Sequence, residues 1–363
     1  MLGDYNPDID NVADSIVGNN KAPESIKVLV RVRPIPYQYD SNDPTTQSII
    51  DITSENSLII NEGKDRKKNF QCTFDAVLSP SSTQADVYNT VGNCTASVLN
   101  GFNSTIFAYG QTGSGKTHSM YGPPLTDARY NNDEFIGLIP RAITEIFNMV
   151  ESMSANNNNN NNNNSDEPVV IQCAVYCSFV QIYNENLFDM LRDSSMTDPL
   201  SIREEKKEIY VQGLSEYNIK NVEESMQLLR IAEENRAIRE THMNQFSSRS
   251  HSIFQIFIDQ KLIASDGGEI TRKSKFNLVD LAGSEKWNIK HNNIMRDEHI
   301  QEMTNINLSL HTLGRCISSL ASISHGKDAH VPYVCVYIVC DMYIVIYIYV
   351  YNGHLYIYIY CST

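Results

Sequence analysis

Apolar and polar positions organise this chain into alternating strand-like and helix-like stretches. The run Ile26-Lys-Val-Leu-Val-Arg-Val-Arg-Pro34 predicts a strand that ends at its proline, and Phe70 to Ala76 predicts another. From Gln84 to Leu99 the spacing turns helical, with Val87, Val91 and Val98 near one face. Thr105 to Tyr109 is a short apolar strand running straight into a glycine-rich loop. Pro140, with Ile143, Ile146, Phe147 and Val150 behind it, opens a helix, since proline is tolerated in a first turn. Val169 to Tyr183 predicts a long buried strand, and Asn186 to Leu191 turns amphipathic. Val222 to Arg239 reads as a helix with Met226, Leu229 and Ile238 inward. Strands over Ser252–Ile263 and Ser274–Val279 and a helix over Ile306–Ile323 complete the pattern. Strands alternating with helices predict an α/β sheet covered on both faces.

Three stretches break this rhythm. Residues 1–23 are acidic, lack an apolar core and read as a disordered leader before an ordered domain over 24–333. The unbroken asparagines from Asn156 to Asn164 stop a helix and cannot pack a core, so residues 154–166 read as a surface loop. Residues 334–363 are dominated by Tyr-Ile and Tyr-Val pairs, with almost no charge. A membrane span and an aggregating pair of strands are two readings of that tail. We prefer a third: Tyr-Ile repeats are what TAT-ATA triplets encode, and Val-Cys-Val fits the opening bases of an intron.

Composition narrows the class. Lys and Arg number 29 against 43 Asp and Glu, a formal charge of −14, which argues against a nucleic-acid binder relying on overall positive charge. It leaves room for an acidic partner held by a local basic face. The 8 cysteines include no C-x-x-C pair and no zinc spacing, and Cys173 and Cys177 read as buried free thiols. Reduced thiols without an export signal point to the cytoplasm.

The chemistry lies in three separated segments. Gly110-Gln111-Thr112-Gly113-Ser114-Gly115-Lys116-Thr117 fits the phosphate-loop pattern and follows a strand, as that mechanism requires. Its glycines let backbone N–H groups approach phosphate oxygens. Lys116 adds a point charge at the β- and γ-phosphates, and the Thr117 hydroxyl can ligate Mg²⁺. Asp280 ends a second apolar run, where an acid at a strand tip can hold a metal-bound water, while Gly283 offers an N–H to the γ-phosphate. The third segment, Asn244 to His251, crowds Ser247, Ser248, Arg249 and Ser250 before a strand. Taken alone it is equally a plain polar loop. Ser248 can supply a second metal contact, and Arg249 can latch to Glu285 when the loops close on a γ-phosphate.

These residues resemble the kinesin motor domain from about Ile26 to Tyr333. The resemblance is carried by Ile-Phe-Ala-Tyr-Gly-Gln-Thr-Gly-Ser-Gly-Lys-Thr-His at 106–118 and Ser-Phe-Val-Gln-Ile-Tyr-Asn-Glu at 178–185. Ser-Ser-Arg-Ser-His at 247–251, Leu-Val-Asp-Leu-Ala-Gly-Ser-Glu at 278–285 and Ile-Asn-Leu-Ser-Leu-His-Thr-Leu-Gly at 306–314 complete it. It implies a phosphate-loop fold with a sheet of about eight strands flanked by helices, ATP hydrolysis with Mg²⁺, and a microtubule (tubulin) partner on the cytoskeleton. It implies further that Arg31, Arg33 and Pro34 meet the adenine, with His118 on its other side. Ser248 and Arg249, with Asn244 and Ser247 at the edge, would form the first switch. Asp280, Gly283 and Glu285 would form the second, with Arg249 and Glu285 positioning the attacking water.

Several positions depart from the family. The stretch after Glu285, Lys286-Trp287 through Arg296, runs about three residues longer than usual. Leu308 stands where a cationic or polar residue is common. Kinesins continue past His-Val-Pro-Tyr, here 330–333, into an Arg-Asp-Ser-Lys-Leu-Thr-like stretch, a further strand and a last helix, so this reading expects an opened sheet. A nucleotide-gated filament-binding module without motility and a non-functional truncated product are the alternatives to a motor.

Overall fold

The computed structural model describes residues 27–34, 49–62, 68–124, 127–132, 134–159, 168–193, 198–205, 208–242, 247–285, 297–324 and 344–350. The leader, most of the asparagine tract, Asn244 and the stretch from Lys286 to Arg296 lie outside the described residues.

The strands are β1 (Lys27–Val32), β2 (Ile50–Ser54), β3 (Ser57–Glu62), β4 (Lys68–Thr73), β5 (Ala76–Leu78), β6 (Ser104–Gly110) and β7 (Val169–Tyr183). After them come β8 (Asn186–Asp189), β9 (Ser201–Glu205), β10 (Glu208–Gln212), β11 (Tyr217–Ile219), β12 (His251–Ile263), β13 (Glu269–Asp280) and β14 (Ile344–Val350). The helices are α1 (Gln84–Val91), α2 (Asn93–Leu99), α3 (Lys116–Tyr121), α4 (Leu138–Asn159), α5 (Val222–His242) and α6 (Asp297–Ser324).

The main sheet runs β11-β7-β12-β13-β6-β14-β1-β5, with β8 paired to β7. It is antiparallel from β11 to β13 and parallel from β13 through β6, β14 and β1 to β5. Neighbouring residues on a strand point to opposite faces, and that alternation sorts two cores. Leu29, Ile106, Phe254 and Leu278 pack on one face with residues of α1 to α5. Val30, Phe107, Ile253 and Val279 pack on the other with Leu313 and Cys316 of α6. Helices therefore cover both faces, as the alternation predicts.

The opened sheet expected from the C-terminal sequence is not what the structure has. β14, drawn from the Tyr/Ile/Val tail, lies between β6 and β1, parallel to both, with Ile346 opposite Phe107 and Val28. Its seven residues are β-branched or tyrosine, the types that best fit a strand buried on both faces.

Smaller differences have local causes. The helix expected over 84–99 breaks into α1 and α2 at Gly92, which has no side chain to favour continuation. The amphipathic stretch that begins at Asn186 forms a hairpin strand on β7 over residues 186–189. α4 extends into the asparagines as far as Asn159. On α5 Leu229 is buried, but Ile238 is 40% exposed, and the inward positions are held by Arg236 and Arg239 instead. Cys173 and Cys177 are free thiols as expected, but Cys173 is only half-buried; burial pushes the Cys177 thiol up to about 12. Among the described residues no helix is long and apolar enough to cross a membrane.

Candidate functional site

The site grows from the carboxyl end of β6. Gly110 ends that strand and Lys116 begins α3, so the glycine loop is clamped between two regular elements. Gly115, at the amino end of α3, has φ 109°, a conformation that side chains disfavour. Lys116 is 6% exposed, and its Nζ donates to the carbonyls of Gly110 (2.9 Å) and Gln111 (3.0 Å). Burial pushes its pKa down, while the nearby charges of Asp280 and Glu285 oppose that shift.

Parallel pairing of β13 with β6 sets Asp280 opposite Ala108, beside the loop. The Thr117 hydroxyl donates to Asp280 Oδ2 at 2.6 Å. The other carboxylate oxygen, Oδ1, is buried with no hydrogen-bond partner. Burial pushes Asp280 up, against the pull of Arg236, Lys116 and Thr117. A hydroxyl and a carboxylate with one oxygen uncommitted are hard oxygen donors that fit Mg²⁺, which commonly keeps waters and phosphate oxygens in the rest of its shell.

The serine-rich segment meets both others. Gly283 N–H donates to the Ser248 carbonyl at 2.7 Å, and Ser284 N–H donates to the Gly110 carbonyl at 3.1 Å. A Cβ on Gly283 would meet the Thr112 hydroxyl and the Glu285 carboxylate, so a larger residue there would have to displace both side chains. Glu285 accepts from Thr112 N–H at 2.8 Å and from the Thr112 hydroxyl. Its carboxylate is thus engaged by the glycine loop and not by Arg249, and the Gly283 N–H is engaged by Ser248. The latch read from the sequence is absent in this arrangement.

The residues assigned to the adenine divide. Arg33 donates to the Gly113 carbonyl, and Pro34 and His118 each expose much of their surface. Partial burial, with Arg31, Arg33 and Arg129 around it, pushes the His118 pKa down. Arg31 departs from its expected role. Its guanidinium donates to Gln84 Oε1 (2.8 Å), Ser119 Oγ (2.6 Å) and the Ser82 carbonyl (3.2 Å), bracing β1 against α1 and α3. The cause is topological: pairing of β1 with β5 brings the start of α1 within its reach.

Two buried groups carry no role in the sequence reading. His251 lies in the serine-rich motif; its Nδ1 accepts from Ala282 N–H at 3.1 Å and its Nε2 contacts Ser309 Oγ at 2.9 Å. Burial and the Lys116 charge push it down to about 4, so the ring is neutral. Arg236 sits on α5, and its charge favours ionised Asp280. The motif spacing could have flagged His251. Nothing in the pattern flagged Arg236, because the apolar stripe pointed to Ile238.

A glycine loop joining a strand to a helix, with an acid on the adjacent parallel strand, defines an α/β domain of the phosphate-loop class. The sequence profile of the kinesin motor domain matches residues 31–334, and the chain belongs to that family. It is 36% identical over 312 residues to kinesin-like protein KIF15 of Rattus norvegicus, covering 85% of this chain and 21% of that protein. Kinesin-like protein Klp61F of Drosophila melanogaster is 34% identical over 323 residues, covering 86% of this chain and 28% of its own length. The chain thus spans 21% and 28% of the length of these two relatives. Among solved structures, a fast kinesin described for its ATPase mechanism and interactions with microtubules superposes with a TM-score of 0.74 at 30% identity. That match covers 92% of this chain and 87% of the other.

Proposed function

We propose that this chain is an ATP-driven microtubule motor domain, hydrolysing ATP at the junction of the three segments. The observation that supports the reading best is the convergence of Lys116, Thr117 and Asp280 with the Ser248–Gly283 backbone bond.

In this reading the glycine-loop amides and Lys116 receive the β- and γ-phosphates, and Arg33, Pro34 and His118 border the base. Thr117, Ser248 and, through water, Asp280 would hold Mg²⁺, which would neutralise charge on the phosphates. Gly283 releases Ser248 and turns its N–H to the γ-phosphate. Glu285 leaves Thr112 and pairs with Arg249, and together they orient the attacking water. Positioning and charge stabilisation supply most of the barrier reduction in phosphoryl transfer. The site lies at a strand's carboxyl end, the usual place for ligands in open α/β sheets.

Phosphate release measured with and without microtubules, alongside filament gliding, tests the proposal. A motor shows filament-stimulated turnover and gliding. Stimulated turnover without gliding favours the binding-module reading, and no turnover in either condition contradicts the ATPase assignment.

A further inference from the structure

Arg31 and His118, both expected at the adenine, meet at a third side chain, Gln84. This residue opens α1, where a capping box fixes the backbone: Thr83 N–H donates to Asp86 Oδ2 (2.8 Å), and Asp86 N–H donates to Thr83 Oγ1 (3.1 Å). The Gln84 side chain is 3% exposed and reaches three other elements of the chain. Its Oε1 accepts from Arg31 of β1 at 2.8 Å. Its Nε2 donates to the His118 carbonyl of α3 at 2.6 Å and to the Phe135 carbonyl, ahead of α4, at 3.4 Å. The same Nε2 lies 3.3 Å from His118 Nδ1.

The chemistry of these partners leaves one arrangement. A guanidinium only donates, so Gln84 turns its oxygen to Arg31 and its NH₂ group to His118. A donor facing Nδ1 requires that nitrogen to accept, which places the single proton of a neutral ring on Nε2. Arg31 also donates to Ser119 Oγ at 2.6 Å, pinning the residue that follows His118 to β1. Nothing at the start of a helix requires its first side chain to be buried. Gln84 is buried with both amide atoms committed, one to each of two residues assigned to the base.

We propose that Gln84 is a positioning residue for the nucleotide base, passing the donor character of Arg31 to His118 and holding that ring in its Nε2–H tautomer as a wall for a purine. Arg31 then acts on the base through Gln84 rather than by touching it. An imidazole fixed before the ligand arrives spares binding the cost of immobilising it. The proposal rests on the nucleotide-site reading above.

The test compares ATP with tripolyphosphate, which lacks the base, by calorimetry with Mg²⁺ on the full chain as wild type, Gln84→Met, His118→Ala and the double variant. Methionine keeps the length of glutamine without its hydrogen bonds. Gln84→Met weakens ATP binding roughly three- to tenfold, the effect of about one neutral hydrogen bond, and leaves tripolyphosphate unchanged. Because Gln84 acts through His118, the double variant binds ATP no more weakly than His118→Ala. Unchanged ATP affinity in Gln84→Met, a loss shared by tripolyphosphate, or losses that add in the double variant overturn the proposal. The ring ¹⁵N shifts of His118 in wild type need neither ligand nor a folded variant: a proton on Nε2 supports the relay, and one on Nδ1 overturns it. If wild type is indifferent to both ATP and tripolyphosphate, the nucleotide-site reading fails. The ring shifts then judge the relay alone: Nε2 protonation that turns mixed in Gln84→Met supports it, and shifts that the substitution leaves unmoved overturn it.

Discussion

Side-chain chemistry at the site makes separable predictions. Among the described residues Lys116 is the single buried cation reaching the glycine loop, and hydrogen bonds to charged groups contribute about 1.5–3 kcal/mol. Lys116→Ala should weaken ATP binding by roughly a hundredfold, as read by calorimetry, if it contacts two phosphates. Glu285→Ala should still bind ATP but lose about 10²–10³ in kcat with little change in KM, a loss confined to the transition state. Normal turnover in that variant would remove the Arg249–Glu285 latch from the mechanism.

Two buried titrating groups oppose one another across mildly acidic pH. His251, pushed down to about 4 by burial and Lys116, takes up a proton on unfolding below its ordinary 6.5, so its contribution to stability falls as pH drops through that window. Glu233, pushed up to about 7 by burial against the pull of Arg236, loses a proton on unfolding above its ordinary 4.5, so its contribution falls as pH rises. Glu233→Gln should therefore make stability rise more steeply with pH between these values, by up to about 1.4 kcal/mol per pH unit. Urea unfolding at several pH values checks this, and an unaltered slope would show that Glu233 is not protonated in the fold.

At the scale of elements, α6 presents Leu308 to solvent at a position where kinesins commonly carry a cationic or polar side chain. Under the proposed motor reading, an exposed leucine in place of a cation forgoes attraction to an acidic filament surface. Leu308→Lys should tighten microtubule binding by about two- to fivefold and make it more salt-sensitive, in line with an exposed ion pair of up to about 1 kcal/mol. Co-sedimentation across a salt series measures it. β6, β7, β12 and β13 were legible in the sequence because they are rich in β-branched and aromatic residues. The inward face of α5 was not, since buried Arg236 and Arg239 take positions that hydrophobic spacing assigns to Ile238. Packing of Arg239 over the Phe188 ring, at 5.0 Å, is a tertiary contact that local spacing cannot announce.

For the whole molecule, the tail is where sequence and structure part most. Low complexity and a family-based expectation of missing segments argued for residues with no place in the sheet, yet β14 lies in its parallel half between β6 and β1. Pattern alone cannot distinguish an apolar run without a partner from one that fills a slot, because the slot is built by residues far away. Ile346→Pro would remove a ladder donor and force the backbone there, so it should destabilise the domain by roughly 3 kcal/mol or more, seen as a lower denaturant midpoint. An unchanged midpoint would mean that β14 contributes nothing to the sheet. The approach of Ser248, Gly283 and the glycine loop was legible from motif spacing, whereas the engagement of Arg31 by Gln84 and Ser119 was not. The partner of Glu285 was not, since motif spacing does not tell whether its carboxylate meets the glycine loop at Thr112 or the serine-rich segment.

The convergence of three segments on one triphosphate is tested most directly by titrating ATP into the full chain with and without Mg²⁺. The account predicts saturable binding at one site, tightened by Mg²⁺, lost in Lys116→Ala and weakened in its Mg²⁺ dependence by Asp280→Asn. Indifference of the wild-type chain to ATP, or binding that Lys116→Ala leaves intact, would contradict it.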